Sequence, residues 1–372
     1  MEEDLRYIIA LMNTKGVGST ITRHLISEFG SAKAVFEADR ELLCSLNGIG
    51  EQIISQRNNP AIFDKADSEI AFMEAHNVKA LVYGQTGYPT RLLECPDAPA
   101  LLFFLGTANL DSDKIISIVG TRNATQYGIE NVRNLVEGIK EHIPNALIVS
   151  GLAFGIDVSS HKAALEYGLP TVGVLAHGLD RVYPYNHRDI AKQMINEGGG
   201  LLTEYTTGND PERGNFLARN RIIAGLADAV IVAESKEKGG SLVTASIALD
   251  YNRDVFAFPG RVNDDRSKGC NRLIRLNRAG LITCADDFLE AMNWNDSAHT
   301  SNAIQHSIPF EEENLSRNAR LIVDTLRDRG DLLLSQLSDT TGLEHATLYE
   351  ELLDLEMDGK IRSTPGGLYQ LK

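Results

Sequence analysis

The sequence predicts an α/β protein: a mainly parallel sheet, preceded by a helical segment and followed by a winged helix-turn-helix. Three observations carry this. From about Ala80, short apolar β-rich runs alternate with helical stretches, the pattern of βαβ units whose sheet is covered on both faces. Residues 1–75 are helical in texture and contain two Gly-x-Gly turns 32 residues apart. Beyond a polar stretch, the tail reads as three helices and a hairpin.

In the helical segment, Lys15-Gly16-Val17-Gly18 precedes the periodic stretch Ile21–Phe29, and Asn47-Gly48-Ile49-Gly50 precedes Gln52–Gln56. Such turns resemble the helix-hairpin-helix motif, whose backbone amides can hold a DNA phosphate. Lys15, Arg23 and Arg57 are the few cations near them, so glycine serving a tight helical turn is the favoured role. Strands are expected at Ala80–Tyr83, Leu101–Leu105, Ile115–Val119, Ala146–Ser150, Thr171–Leu175, Leu201–Glu204, Ala229–Ala233, Val255–Phe258 and Leu281–Cys284. The helices between them are Gly128–His142, Val158–Tyr167, Arg188–Asn196, Leu217–Leu226, Leu242–Tyr251 and Asn271–Arg278. Residues 295–314 are polar, aperiodic and end in an acidic run, which marks a linker. The tail then offers Asn318–Arg327, Leu334–Thr340 and Ala346–Met357 as helices, and Lys360–Leu371 as a hairpin turning on Pro365-Gly366-Gly367. The chain thus divides into a helical domain (1–75), a sheet domain (76–294), a linker (295–314) and a winged-helix domain (315–372).

The 372 residues carry 36 Lys and Arg against 51 Asp and Glu, a formal net charge of −15. That acidity argues against a protein that coats nucleic acid non-specifically, and leaves room for a local basic site. Cys44, Cys95, Cys270 and Cys284 are far apart with no Cys-x-x-Cys, so neither a disulfide framework nor a zinc ribbon is expected. No apolar run approaches the ~18 residues of a membrane span. The N-terminus is acidic where a signal peptide is basic, so the expected compartment is the cytoplasm.

Ligands of parallel sheets gather beyond the carboxyl ends of the strands. There the chain has Gly120-Thr121-Arg122 after one strand and Ser150-Gly151-Leu152-Ala153-Phe154-Gly155-Ile156-Asp157 after the next. Glycines and small hydroxyls at a strand-to-helix turn let backbone amides approach an anion, and Arg122 adds a planar cation. Neither turn is the dinucleotide fingerprint, no phosphate-binding Gly-Lys-Ser/Thr loop exists, and no cofactor is expected. Ser150, Asp157 and His161 are not a hydrolase triad, because the surroundings lack Gly-x-Ser-x-Gly and Asp157 reads as a helix cap. Of His177, Asp180, His187 and Asp189, three lie in one turn-rich loop, and they show no metal-ligand spacing. That stretch, GLDRVYPYNHRD, reads as a rigid loop set by Pro184 and its tyrosines.

The region Asp210–Gly280 is locally basic, with twelve Lys and Arg against nine Asp and Glu. Arg213, Phe216, Arg219, Asn220 and Arg221 surround a helix start, and Lys236-Glu237-Lys238-Gly239-Gly240-Ser241 forms a glycine turn with Thr244 one turn later. Arg261, Arg266 and Lys268 line a third loop. Converging cations, glycine amides and a ring are what a single-stranded nucleic-acid groove requires. A purely structural alternative makes Phe216 core and turns Arg219 and Arg221 into internal ion pairs.

The blocks VGTRNATQYG, SGLAFGIDVSSHKAAL, GLDRVYPYNH, FLARNRIIAGLADAVIVAES, GGSLVTASIAL, VFAFPG and SKGCNRLI resemble, in order and spacing, the DNA-processing protein A family (DprA/Smf) over about Ala80–Ala285. The resemblance implies an extended Rossmann-like domain between a helix-hairpin-helix (SAM-like) domain and a winged helix. It also implies a non-enzymatic homodimer that binds single-stranded DNA without sequence preference and helps load RecA recombinase onto incoming DNA in natural transformation. The matching blocks assign Arg122, Ser150, Gly151, Phe216, Arg219, Asn220 and Arg221 to DNA. With Gly120, Arg213, Gly240, Ser241, Thr244 and Lys268 these are the expected DNA-binding residues. The family's Ser-Gly-Ser turn is here Gly239-Gly240-Ser241, which loses one hydroxyl. The last tail helix carries Glu344, Glu350, Glu351, Asp354, Glu356 and Asp358 and no cation before Lys360, so the module is expected to be a protein-interaction or regulatory piece and not to meet duplex phosphate. The competing enzyme class is a Rossmann-like nucleoside-monophosphate hydrolase. Its Pro-Gly-Gly-x-Gly-Thr turn is missing here.

Overall fold

The first Gly-x-Gly turn forms as expected, with Gly16 at φ +84° and Gly18 as the N-cap of the following helix. The structure is a computed structural model and describes residues 2–45, 50–294, 316–364 and 368–371. Six helices come first: α1 (Glu2–Met12), α2 (Ser19–Phe29), α3 (Ala32–Glu37), α4 (Arg40–Cys44), α5 (Gly50–Gln56) and α6 (Pro60–His76). The second turn, at residues 47–49, the linker and the hairpin turn at 365–367 lie outside the described residues. The helices bury Ile8, Ile9, Leu11, Phe36 and Ile53 against one another and against Leu101 and Phe103 of the sheet. The helical segment therefore shares a core with the sheet, and residues 1–297 form one compact unit.

The sheet follows as β1 (Lys79–Val82), α7 (Thr90–Leu93), β2 (Leu101–Gly106), β3 (Ile115–Gly120), α8 (Gln126–His142), β4 (Leu147–Ser150), α9 (Ile156–Glu166), β5 (Thr171–Val174), α10 (Arg188–Asn196) and β6 (Gly200–Thr203). It continues through α11 (Arg213–Leu226), β7 (Ala229–Glu234), α12 (Gly240–Asp250), β8 (Asp254–Ala257), α13 (Lys268–Arg275), β9 (Gly280–Leu281) and α14 (Ala285–Ala291). The strand order is β1-β2-β6-β5-β4-β3-β7-β8-β9. Pairing is parallel from β6 to β9, and antiparallel where β2 joins β1 and β6.

The all-apolar look of β3 follows from burial on both sides. Ile115 and Val119 face a core with Ile222 and Ala245 of α11 and α12, while Ile116 and Ile118 face Val132 of α8 and Phe288 of α14. Chain order runs outward from β3 in both directions, through β4 on one side and β7 on the other. This reversal opens a crevice at their carboxyl ends, the place where such sheets take ligands.

The second unit, residues 298–372, contains α15 (Arg317–Arg329), β10 (Leu332–Leu333), α16 (Leu334–Thr341), α17 (His345–Met357), β11 (Ile361–Thr364) and β12 (Leu368–Leu371). Its antiparallel sheet has the order β10-β12-β11, and Ile322, Leu337, Leu348, Leu352 and Ile361 make its core. This is the winged-helix arrangement that the tail pattern predicts.

Candidate nucleic-acid interface

A cavity of about 630 Å³ opens at the β3/β7 crevice. Its walls are the turn after β3, the loop leading to α9, the first two turns of α11, and the loop that carries β7 into α12. Arg122, Arg213, Lys236 and Lys238 line it and are exposed. At its centre Phe216 is half-buried, with the Arg122 guanidinium 5.0 Å from its ring centroid and that of Arg219 at 5.9 Å. A cation near an aromatic ring is attracted by it, so the ring favours both guanidinium groups at this edge of the cavity.

Arg219 is 3% exposed and donates from Nη1 to the Val174 carbonyl at 2.5 Å. Asp157, in the first turn of α9, is also buried and accepts from the backbone of Ala153 and Gly151. Burial pushes the Asp157 carboxyl up and the Arg219 guanidinium down to about 10, and their mutual attraction opposes both shifts. Arg219 thus stays charged at neutral pH. Gly151 is required beside this pair, because a β-carbon there would collide with the Arg219 guanidinium and with Asp157.

The two helix N-termini at the crevice have different fates. At α8, Glu234 is 2% exposed and accepts from Thr125 N at 2.8 Å and Thr125 Oγ1 at 2.6 Å. The protein's own carboxylate thereby occupies the positive end of that helix, and a phosphate there would be repelled. At α12, Gly239 is the N-cap and a β-carbon at Gly240 would meet nothing within 4 Å. That helix end is open, with Lys236 and Lys238 beside it.

Of the expected DNA-binding residues, Gly120, Arg122, Arg213, Phe216, Arg219, Asn220, Gly240, Ser241 and Thr244 line the cavity. Ser241 does so with its hydroxyl committed to Ser235 Oγ at 2.9 Å. The other four do not line it. Ser150 is fully buried and donates to the Ile118 carbonyl at 2.6 Å, which ties β4 to β3. Gly151 acts through the space it leaves for Arg219. Arg221 points to the opposite wall of α11, paired with Glu204 and donating to the Asp97 carbonyl at 2.7 Å. Lys268 is exposed and paired with Asp265. The structural alternative therefore holds for Arg221 and in part for Arg219, which lines the cavity but is buried, bonded to the Val174 carbonyl and attracted by Asp157, while Phe216 is not core. Lys236 and Lys238, read in the sequence as part of the basic glycine turn, line the cavity too, and Thr121 and Asn123 line it without having been singled out. Their sequence signal was their place directly after a strand.

Ser150 and His161 make no triad, since His161 Nδ1 bonds Thr171 Oγ1 at 2.7 Å. No group of His, Cys, Asp and Glu among the described residues could hold a metal. His177 donates to the Gly178 carbonyl and accepts from Tyr183 N, and His187 donates to the Leu152 carbonyl, so both fasten loops.

Residues 79–293 match the family model for DNA recombination-mediator protein A, and residues 312–367 match the DprA winged helix domain. The chain belongs to the DNA recombination-mediator protein A family. It is 36% identical to Protein Smf of Synechocystis over 297 residues, 77% of this chain and 72% of that protein. It is 39% identical to the DNA processing protein DprA of Streptococcus pneumoniae over 258 residues, 68% of this chain and 87% of that one. The solved structure of the pneumococcal DprA matches with a TM-score of 0.61 at 34% identity, covering 77% of this chain and 97% of that chain. The DNA processing protein A of Helicobacter pylori, solved for its single-stranded DNA binding mode, matches with a TM-score of 0.52 at 30% identity, covering 58% and 95%. The extended Rossmann-like sheet and the winged helix of this chain are therefore those of the DprA family. Among the described residues no helix is long and apolar enough to cross a membrane.

Proposed function

We propose that the chain binds single-stranded DNA without sequence preference in the β3/β7 crevice. The observation that carries this is the Phe216 ring flanked by Arg122 and Arg219 inside a cavity edged by exposed cations. Arg122, Arg213, Lys236 and Lys238 would neutralise phosphates, the open amides of α12 would hold one more, and the ring would take a base by stacking. No base-reading pattern of donors and acceptors is needed for this. Family membership supports the finer reading: a cytoplasmic homodimer that protects incoming DNA and passes it to RecA recombinase in natural transformation.

The competing hydrolase reading needs a carboxylate free to act on a sugar or water. Asp157, the one carboxylate among the described lining residues, is instead bound to two backbone amides and faces Arg219. Incubation with nucleoside monophosphates tests that reading directly, and release of free base would restore it. For the binding reading, titration with labelled oligothymidylate should saturate and weaken with salt. RecA filament assembly on strands already covered by this protein should start sooner than on strands covered by an unrelated single-strand binder. Equal lag times would remove the recombinase step from the proposal.

A further inference from the structure

The loop between β5 and α10 carries two tyrosines that the fold does not use. Its backbone is fastened from inside: His177 accepts from Tyr183 N at 3.2 Å, Pro184 is buried, and buried His187 donates to the Leu152 carbonyl at 2.8 Å. With the loop so anchored, Tyr183 stays 46% exposed and Tyr185 71% exposed. Two rings exposed from one anchored loop, two residues apart, are available as a contact surface.

Their position says what the contact is. Tyr183 lies 5.9 Å from Phe216, ring centroid to ring centroid, and so begins where the cavity's own ring ends. Tyr185 follows two residues later, its ring 6.0 Å from the Arg188 guanidinium. Phe154, 45% exposed and packed edge-on against His187 at 4.9 Å, stands on the neighbouring loop, next to Ala153 of the cavity wall. All three rings lie on loops that leave the carboxyl ends of β4 and β5, the same edge of the sheet as Arg122. The charge there differs from that of the cavity. Arg181 pairs with both Asp180 and Asp210, which leaves exposed Arg188 beside Tyr185 as the cation of this stretch, against four exposed cations at the cavity.

We propose that Tyr183 and Tyr185 form a stacking platform that continues the single-strand track out of the cavity and takes the bases next along the strand. A strand leaving Phe216 toward β5 meets flat faces with few cations, so the platform adds stacking and hardly any phosphate neutralisation. The inference rests on the cavity being the single-strand site.

The test is the double substitution Tyr183→Ala/Tyr185→Ala in the full chain, beside Tyr183→Phe/Tyr185→Phe and Arg122→Ala. Each variant is titrated with oligothymidylate of about 4 and about 12 nucleotides, across a salt series, with a thermal melt as the folding check. The alanine pair should bind the longer strand at least about fivefold more weakly, with the salt slope and the shorter strand's affinity unchanged. The phenylalanine pair should restore binding. If the alanine pair binds the longer strand normally while Arg122→Ala is weakened, the platform is wrong and the cavity stands. A phenylalanine pair as weak as the alanine pair also overturns it, because stacking would not be the contact. If Arg122→Ala binds normally as well, the cavity reading falls and the platform with it.

Discussion

Arg122 and Phe216 touch, yet they contribute in different ways, and this makes them separable. Arg122→Ala removes an exposed cation. It should weaken binding and flatten the slope of log K against log salt by about 0.7, one phosphate contact. Phe216→Ala removes the stacking face and should cost about 1–3 kcal/mol of binding with the slope unchanged. Thermal melts of both should stay close to the parent, because Phe216 is only half-buried. A large drop in melting temperature for Phe216→Ala would instead assign the ring to the core. A second prediction concerns His161, fully buried beside Thr171, whose pKa burial pushes down to about 3. The unfolded chain protonates this group near 6.5 while the folded chain does not, so stability falls as pH drops from about 6.5 toward 3. Between pH 7 and pH 5 His161 should cost about 2 kcal/mol, and His161→Gln should flatten that part of the profile in denaturant titrations. A variant with the parent's slope would mean that another group sets it. Residues standing directly after strands, such as Arg122, were legible in the sequence because strand ends fix their place. Arg221 was not, since two residues from Arg219 on α11 it faces another wall, chosen by Glu204 and Asp97 from distant segments.

At the scale of elements, the strands of the parallel region from β3 to β8 were legible, because an apolar run between two helical stretches has few other readings, whereas β9, expected at Leu281–Cys284, spans Gly280–Leu281. The start of α11 was read late, near Leu217. The helix begins at Arg213, which places Arg213 and Phe216 on its first turn and aims both into the crevice. Gly214 and Pro211 give that stretch a loop-like texture, and only the packing of α11 on β3 overrides it. The role of Glu234 was hidden as well, since its partner Thr125 lies on another connection. Glu234→Ala leaves the amide and hydroxyl of Thr125 without their acceptor. It should cost roughly 1–3 kcal/mol of stability in denaturant titration. Single-strand affinity should not change, because the α8 terminus is not a phosphate site. A shift in affinity without loss of stability would contradict that assignment. For the winged helix, Tyr349, Leu353 and Met357 are exposed one turn apart on α17, among the acidic residues. An acidic and apolar helix face suits protein and repels duplex phosphate. A chain ending at Trp294 should therefore keep its single-strand affinity, and a loss of tenfold or more, ~1.4 kcal/mol, would show that the module helps hold DNA.

For the molecule as a whole, the net charge of −15 and the basic crevice belong to one design. An acidic surface discourages diffuse contact with duplex, and four exposed cations at one sheet edge concentrate attraction on a strand that can enter it. The sheet order makes this place, since only where β3 meets β7 do the chain's two directions part and leave a crevice. The arrangement predicts what a single titration can decide: the full chain against single-stranded and duplex DNA of equal length, repeated across a salt series. Four phosphate contacts at about −0.7 each give a slope of roughly −3 for the single strand, with mixed and homopolymeric sequences alike. The single strand should bind tighter than the duplex at every salt concentration. A flat salt dependence, a strong preference for one sequence, or duplex binding as tight as single-strand binding would contradict the crevice as the site.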